Sequence, residues 1–402
     1  MGQVKKENLG VGCFEVPKNT QKYLLDVLKT ERISYGPYLK RFEKEFAAAH
    51  GAKFAVVVNS GTSALRIAIA CLKEVGKWND GDEVIIPAVT FVSDVNILIQ
   101  NNLKPVFVDV DPVTYNIAAE KIEAKITKKT RAIIPSHLFG QPAAMDVIMK
   151  VAKRHKLKVI EDSCETMFAS YKGKVVGSMG DIACFSTYVA HLIVTGVGGL
   201  ALTNNPTYAK VLRSVANHGR DGIYISIDDD AGKKGKALAE VVARRFSFVR
   251  PGYSFRLTEF EGALGCAQLE VADISFKKRR DNALYLLKKL EPLSQYIQLP
   301  TQVEGADHVY MMFPLVLKQD VKFKKVALVN FLETEGIETR DMLPLIKQPM
   351  IKKMFGIEKG QYPVADWVNE NGFYIGCHPK MGKAELDYIV DTLTAFFIKG
   401  KK

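Results

Sequence analysis

Residues 54–64 read FAVVVNSGTSA, so a strand-length apolar run leads directly into small, hydroxyl-bearing residues that open a helical pattern. The same order of strand and helix returns along the chain. Short apolar runs predict strands at 54–58, 83–87, 105–110, 131–135, 158–161, 182–186 and 200–203. Helical periodicity predicts helices at 63–74, 93–101, 119–126, 145–155 and 208–217. This alternation predicts an α/β fold, in which helices cover both faces of a mostly parallel sheet and ligands bind at the carboxyl ends of its strands.

The C-terminal part of the chain departs from this alternation. Its patterns predict a helix from about 277, an apolar run at 309–317, a second helix at 324–335 and a closing helix at 383–397. We therefore predict a large cofactor-binding domain over 1–276 and a smaller α+β domain over 277–402. The polar region of about 220–250 is interpreted as an insertion, either part of the site or a surface loop without catalytic meaning.

The composition is that of a globular protein, because 47% of the 402 residues are hydrophobic and 25% are charged. The apolar runs have only strand length, so we predict no membrane-spanning helix. No export signal is recognised, which makes the cytoplasm the expected location. The net charge is +12, yet no basic stripe with interleaved aromatic residues predicts nucleic-acid binding. The six cysteines lack the spacing of a metal or iron–sulfur motif and are expected to be reduced.

Three segments carry residue types that suit a phosphate-bearing ligand. Gly61 and Thr62 open a helical pattern, where free N–H groups make either a phosphate site or a simple helix cap. Asp162 follows an apolar strand, and a carboxylate there either pairs with a cationic ring nitrogen or caps a helix. Ser186 and the glycine-rich segment 196–199 add a hydroxyl group and room for close approach of the backbone. Each segment alone leaves both interpretations open.

Together and in this order, the motifs resemble the DegT/DnrJ/EryC1/StrS family of pyridoxal-phosphate enzymes, which contains sugar aminotransferases and related dehydratases. The segments that carry the resemblance are ISYGPYLKRFEKEFA, NSGTSAL, DEVIIPAVTFV, PVFVDVD, SHLFGQP, VIEDSCE, GYSFRLTEFEGALG, GIETR and NGFYIGCHP. They span nearly the whole chain. The resemblance implies an aspartate-aminotransferase-like fold of type I, a homodimer with shared active sites, and a nucleotide-linked keto sugar as substrate.

The resemblance also implies how the chain holds the phosphate of pyridoxal 5'-phosphate or pyridoxamine 5'-phosphate. Gly61, Thr62 and Ser186 would bind the phosphate of the cofactor. Ser254 stands where the family usually has an asparagine that reaches the phosphate bound by the partner subunit.

The ring of the cofactor is expected to contact three further residues. By the resemblance, Phe91 would stack on the pyridine ring, Asp162 would pair with the ring nitrogen, and Glu165 would lie near the ring hydroxyl. A carboxylate beside the nitrogen keeps it protonated, so the ring can serve as an electron sink.

The main departure from the family pattern is His191. An aminotransferase of the family has a lysine at this position, which binds the cofactor covalently. No lysine occurs between Lys174 and Lys210, so a small shift of the alignment does not restore one. An imidazole forms no stable Schiff base but binds a proton reversibly near neutral pH. The cofactor is therefore expected to be held non-covalently, as pyridoxamine phosphate.

The same replacement is found in the sugar 3-dehydratases of the family, such as those acting on GDP-4-keto-6-deoxymannose. The resemblance implies that the cofactor amine condenses with the C4 ketone, that His191 removes the cofactor's C4′ proton, and that the C3 hydroxyl leaves. An amino donor such as glutamate would restore the amine. Between Arg220 and Arg256 there is no cysteine, so no iron–sulfur cluster is expected.

Four other residues are weaker candidates for substrate binding. Arg220 and Arg340 would bind substrate phosphates or form surface ion pairs. His137 and His378 lie in family-like motifs and would either contact the substrate or serve the structure. The acidic run at 228–230 lacks the spacing of a calcium loop, and no metal site is predicted.

Two alternatives to a 3-dehydratase stay open at this level. One is a sugar aminotransferase that holds its cofactor without a covalent bond. The other is a non-catalytic family member that binds the cofactor or a nucleotide sugar.

Overall fold

The centre of the protein is a seven-stranded sheet, and a four-stranded sheet lies in the C-terminal part. The computed structural model describes residues 8–222 and 229–399. Its strands are β1 (Phe54–Val58), β2 (Glu83–Pro87), β3 (Lys104–Val108), β4 (Thr130–Ile133), β5 (Lys158–Asp162), β6 (Ser170–Tyr171), β7 (Lys174–Val175), β8 (Ile182–Ser186), β9 (Gly199–Thr203), β10 (Ile297–Gln298), β11 (Phe313–Leu317), β12 (Arg340–Asp341) and β13 (Gly372–Ile375).

Helices account for most of the remaining ordered structure. They are α1 (Thr20–Lys29), α2 (Pro37–Ala49), α3 (Gly61–Gly76), α4 (Ser93–Ile99), α5 (Met145–His155), α6 (Pro206–Ala216), α7 (Gly235–Arg244), α8 (Glu259–Leu269), α9 (Ala272–Leu290), α10 (Lys325–Thr334), α11 (Pro349–Phe355), α12 (Pro363–Asn371) and α13 (Lys383–Lys399). No helix in the described ranges is long and apolar enough to cross a membrane.

The large sheet has the strand order β1-β9-β8-β5-β4-β2-β3. Strands β8, β5, β4, β2 and β3 pair in parallel, and β9 alone runs antiparallel to both of its neighbours. Side chains alternate between two cores: Val84 and Ile86 pack in the cluster that contains α3, whereas Ile85 packs in the cluster that contains α5. Both faces of the sheet are therefore covered by helices, which confirms the predicted α/β class.

The predicted helix at 119–126 is wrong. The structure has two short 3-10 turns there, Ala119–Lys121 and Glu123–Lys125. Ala119 and Ile122 are buried and three residues apart, a spacing that suits the three-residue turn of a 3-10 helix. The other helices predicted in the first half occur within two residues of their predicted ends.

The region of about 220–250 contains the helix α7, which the polar composition did not predict. Residues 223–228 of this region lie outside the described part of the chain. Val241 is the one buried residue of α7, and Arg244 of the same helix pairs with Asp221.

The small sheet has the order β10-β11-β13-β12 and is antiparallel throughout. The predicted boundary after residue 276 falls inside α9. Phe276 packs with residues of the large sheet, whereas Leu286 and Leu290 pack with residues of the small one. This one helix joins the two cores, and the division into 1–276 and 277–402 stays a prediction.

Candidate active site

A cavity of about 390 Å³ opens at the carboxyl ends of the strands of the large sheet. Its walls include residues that directly follow β1, β2, β4, β5 and β8, together with Met311, Met312 and Tyr374 from the C-terminal part. The carboxyl ends of neighbouring parallel strands meet at one edge, so the topology itself assembles these walls. The predicted residues Gly61, Thr62, Phe91, His137, Asp162, Glu165, Ser186 and His191 all line this cavity.

The N-terminus of α3 forms one wall. Ser60 caps the helix, because its Oγ accepts the N–H of Ser63 at 3.0 Å. Gly61 and Thr62 lie in the first turn, where N–H groups have no intrahelical acceptor and favour an anion. A Cβ at Gly61 would lie 2.7 Å from the Cβ of Ser186 and 2.7 Å from the Sγ of Cys164. Only glycine lets the helix approach β8 so closely, which brings Gly61 and Ser186 together.

Asp162 ends β5 inside the cavity and is almost wholly buried. Its Oδ1 accepts the N–H of Cys164 at 3.1 Å. Burial raises the pKa of Asp162, and interactions with Cys164 and Asp94 oppose that rise. A cationic group in the cavity would have this carboxylate as its counter-ion.

His191 lies in the loop that joins β8 to β9. Two threonines close the base of this loop: Thr195 N–H donates to the carbonyl of Thr187 at 2.9 Å, and their hydroxyl groups are 2.5 Å apart. The ring of His191 meets the ring of Tyr188 edge to face, with centroids 6.2 Å apart. Burial lowers the pKa of His191 to about 4, and the backbone of Ser186 only partly offsets this. The imidazole is therefore neutral at pH 7 and able to accept a proton.

Glu165 and Phe91 complete the set of residues that sequence reasoning placed around a ring. Glu165 Oε2 accepts the N–H of Phe139 at 3.0 Å, and burial raises the pKa of Glu165 to about 7. Phe91 is 55% exposed at the cavity wall, so its ring is available to a ligand. An exposed aromatic ring and a half-buried carboxyl group with a raised pKa suit a planar ligand with a polar edge.

His137 has no nitrogen left for a ligand. Its Nδ1 accepts the N–H of Ala143 at 3.0 Å, and its Nε2 lies 3.2 Å from the buried carboxylate of Glu161. The ring therefore holds two protein segments together, which fits the structural alternative for this residue.

Four predicted residues do not line the cavity of this chain: Ser254, Arg220, Arg340 and His378. Ser254 is exposed, and its Oγ accepts a hydrogen bond from Arg256 at 2.9 Å. The guanidinium of Arg340 donates to the carbonyl of Thr339 at 2.7 Å and pairs with Glu338. Their predicted contacts with cofactor or substrate stay predictions.

Arg220 and His378 have different surroundings. Arg220 donates to the carbonyl of Arg245, and its guanidinium lies 5.6 Å and 5.5 Å from the ring centroids of Phe246 and Phe248. His378 is buried, which lowers its pKa to about 4. In the acidic run, Asp230 pairs with Arg245, and Asp228 lies outside the described residues.

Sequence reasoning missed several residues that line the cavity, among them Thr90, Ser136, Tyr188 and Tyr374. Ser136 follows β4 by three residues and Tyr188 follows β8 by two, so their positions after strands were a usable signal. Tyr374 belongs to the small sheet, and nothing local to it indicates that it faces the large one.

Comparison with known proteins gives consistent matches over most of the chain. The sequence profile of the DegT/DnrJ/EryC1/StrS aminotransferase family matches residues 15–394. The dTDP-4-dehydro-2,6-dideoxy-D-glucose 3-dehydratase of Saccharopolyspora spinosa is 33% identical over 92% of this chain and 82% of its own. The GDP-perosamine synthase of Caulobacter vibrioides is 32% identical over 96% of this chain and 97% of its own.

Solved structures also match this chain over nearly its whole length. GDP-4-keto-6-deoxy-D-mannose 3-dehydratase of E. coli, with bound hydrated pyridoxal phosphate, has a TM-score of 0.87 and 30% identity over 96% of this chain and 99% of its own. A variant of GDP-4-keto-6-deoxymannose 3-dehydratase with a histidine changed to asparagine, solved with GDP-perosamine, matches with a TM-score of 0.87 and 30% identity over 96% of this chain and 100% of its own. These likenesses confirm the fold type that the motifs predict.

Proposed function

The chain belongs to the DegT/DnrJ/EryC1/StrS aminotransferase family, and we propose that it is a 3-dehydratase of a nucleotide-linked 4-keto-6-deoxy sugar, with pyridoxamine 5'-phosphate as cofactor. The observation that carries the proposal is His191, which lines the cavity where a family aminotransferase needs a lysine. Over the described ranges, the cavity walls contain no lysine. A reversible proton acceptor therefore takes the place of a covalent anchor.

The cavity fits a cofactor that is held without a covalent bond. Gly61 and Thr62 at the N-terminus of α3 line the cavity together with Ser186, so the free N–H groups of the first turn would hold a phosphate there. Asp162 would pair with the ring nitrogen, and Phe91 would stack on the ring. The volume of about 390 Å³ falls in the range of small-molecule sites.

When bound, pyridoxamine phosphate supplies an amine that condenses with the C4 ketone and a ring that takes up electrons. His191 would accept the proton that leaves the C4′ carbon, because its imidazole is neutral at pH 7. Its Nδ1 is enclosed, so Nε2 is the nitrogen we assign as the base. Once protonated, the same ring would donate its proton to the departing C3 hydroxyl, which leaves as water.

The substrate class and the assembly are part of the same proposal. The names of the matched 3-dehydratases support a nucleotide-linked sugar, and glutamate is the amino donor that we propose. Ser254 is exposed in one chain, which agrees with a contact to the partner subunit's cofactor in a homodimer. Arg220 and Arg340 would bind substrate phosphates only when the substrate or a second subunit brings them to the cavity.

An aminotransferase is the second candidate. The match to GDP-perosamine synthase over 96% of this chain favours it. The absence of a lysine between Lys174 and Lys210 argues against it, because His191 offers no covalent anchor.

The deciding experiment is mass spectrometry of the products. The purified protein is incubated with pyridoxamine phosphate, glutamate and GDP- or dTDP-linked 4-keto-6-deoxy sugars. A product without the C3 oxygen supports the dehydratase, whereas an amine in place of the ketone supports the aminotransferase. If neither product forms from any of these sugars, the proposed substrate class is wrong.

Variants separate the role of His191 from general damage. We expect His191→Asn to abolish turnover and to keep cofactor binding, and His155→Asn, whose ring bonds to Glu123 outside the cavity, to behave as the wild type. Turnover by His191→Asn would contradict the assignment of the base. After free pyridoxal phosphate has been removed, borohydride should fix no stoichiometric label, and one lysine labelled stoichiometrically would refute the non-covalent site.

A further inference from the structure

Asp94 is a buried carboxyl group that the proposed reaction does not use. It lies in the first turn of α4, and its exposed fraction is 0%. It is not among the residues that line the cavity. An aspartate with no access to water and no cationic partner is rare and requires a physical explanation.

The two carboxyl oxygens of Asp94 have different surroundings. Oδ2 accepts hydrogen bonds from the hydroxyl groups of Thr90 at 2.6 Å and of Ser136 at 3.0 Å. Oδ1 is equally buried but receives no hydrogen bond from any N–H or O–H donor in the described part of the chain. Ser136, which donates to Asp94, pairs with Asp162 in an isolated β-bridge, so the two aspartates are neighbours, and the pKa of each responds to the other. A buried carboxyl oxygen that lacks a donor is well placed to carry a proton itself.

Two buried carboxylates in contact cannot both stay ionised. Burial, followed by the charge of Asp162, raises the pKa of Asp94 well above its ordinary value. Asp162 is the less buried of the two, 6% exposed against 0%, and it alone lines the cavity, so its charge is less desolvated than a charge on Asp94 would be. The proton therefore belongs on Asp94.

The other titratable groups near the pair do not change this assignment. They are His137 after β4, Cys164 and Glu165 after β5, and Cys184 in β8. The ring of His137 contacts the N–H of Ala143 through Nδ1 and Glu161 through Nε2, so neither nitrogen is directed to the pair. Burial raises the pKa of both thiols well above the ordinary value, so they stay neutral.

We propose that Asp94 holds a proton at neutral pH and donates it from Oδ1 to the carboxylate of Asp162, so that the pair carries one negative charge, on Asp162. Its role toward the cofactor rests on the proposed function: the single charge would match the single positive charge of the pyridinium nitrogen. Asp94 is then a positioning residue, which acts through Asp162 and does not touch the cofactor.

The proton is tested on the apoenzyme by infrared spectroscopy at pH 7. The difference between wild type and Asp94→Asn should show one protonated carboxyl C=O band in the wild type that the variant has lost, and the band should shift in deuterium oxide. Asp320→Asn removes an exposed aspartate and should leave the band in place. Glu165, whose pKa is about 7, contributes a band to both proteins that cancels in the difference. A difference spectrum without a protonated carboxyl band would overturn the proposal.

Should Asp94→Asn fold poorly, the wild type alone gives an answer. In protein labelled with carbon-13 at the aspartate carboxyl, one signal should keep the chemical shift of a protonated acid at pH 7. If every aspartate signal has the shift of a carboxylate, the proposal is wrong.

A third readout uses pyridoxamine phosphate as the probe. The pH midpoint of its absorbance change on the protein should be the same in wild type and Asp94→Asn, because both would place one charge beside the ring. A midpoint lower by about one pH unit, a tenfold loss of proton affinity, would mean that Asp94 is ionised. None of these readouts needs turnover. If the infrared band of protonated Asp94 is present but no sugar is dehydrated, the proposed function is wrong and the proposed Asp94–Asp162 pair still stands.

Discussion

Replacing Gly61 by alanine tests the phosphate site directly. The new Cβ would lie 2.7 Å from the Cβ of Ser186, about 0.7 Å closer than an ordinary van der Waals contact. The Cβ of Ser186 cannot rotate away because β8 fixes its position, so the N-terminus of α3 must move. A shift of this size lengthens an N–H to phosphate hydrogen bond from about 2.9 Å to about 3.6 Å, which is beyond bonding distance.

The expected loss follows from that displacement. One hydrogen bond to a charged group contributes about 1.5–3 kcal/mol, so pyridoxamine phosphate should bind about 10- to 150-fold more weakly to Gly61→Ala. Overpacking should also lower the free energy of unfolding by about 1–3 kcal/mol. Equilibrium dialysis measures the affinity, and thermal unfolding checks the fold.

Gly382→Ala is the matched control. Its new Cβ would meet only the end of the flexible Glu385 side chain, at 3.1 Å, far from the cavity. We expect its affinity for pyridoxamine phosphate to equal that of the wild type. If a folded Gly61→Ala bound the cofactor as tightly as this control, the helix terminus would not be the phosphate site.

Three further predictions concern other parts of the molecule. The buried carboxylate of Glu259 accepts the N–H groups of Gly36 and Tyr38 at 2.8 Å and of Leu39 at 3.1 Å. In urea titrations, Glu259→Gln should therefore lower the free energy of unfolding by about 1.5–3 kcal/mol. The control Glu304→Gln changes an exposed residue and should leave the free energy of unfolding unchanged. Burial lowers the pKa of four histidines, to about 4 for His50, His191 and His378 and to about 3 for His308. Below about pH 6.5 the unfolded chain therefore binds more protons than the folded protein, and the urea midpoint of unfolding should fall steadily from pH 6.5 to 4. A urea midpoint that does not change over this range would contradict the prediction. Ser254→Ala should weaken binding of pyridoxamine phosphate to the assembled protein, and unchanged affinity in dialysis would remove Ser254 from the site.

Local sequence patterns were sufficient to predict the strands of the large sheet. Each of its seven strands occurs within two residues of the predicted ends, because short β-branched runs bounded by polar or turn residues signal a buried strand without reference to distant sequence. Gly61, Asp162 and Ser186 were likewise singled out by their positions beside such strands, whereas His191 was found only through the family resemblance; all four line the cavity. The helix prediction for 119–126 is wrong because the periodicity of this segment is compatible with either a helix or two tighter turns. Burial of Ile122 decides between the two structures.

Other features depend on contacts between residues far apart in the chain. The order β1-β9-β8-β5-β4-β2-β3 brings the ends of non-consecutive strands to one edge, and Met311, Met312 and Tyr374 close the cavity from the other sheet. Asp94 had no local signature as a partner of Asp162, since 68 residues separate them in the sequence and β4 lies between β2, which precedes Asp94, and β5, which ends at Asp162. Residue identity and periodicity are local properties of the chain, whereas shared burial and the charge that it permits arise only when the sheet has assembled.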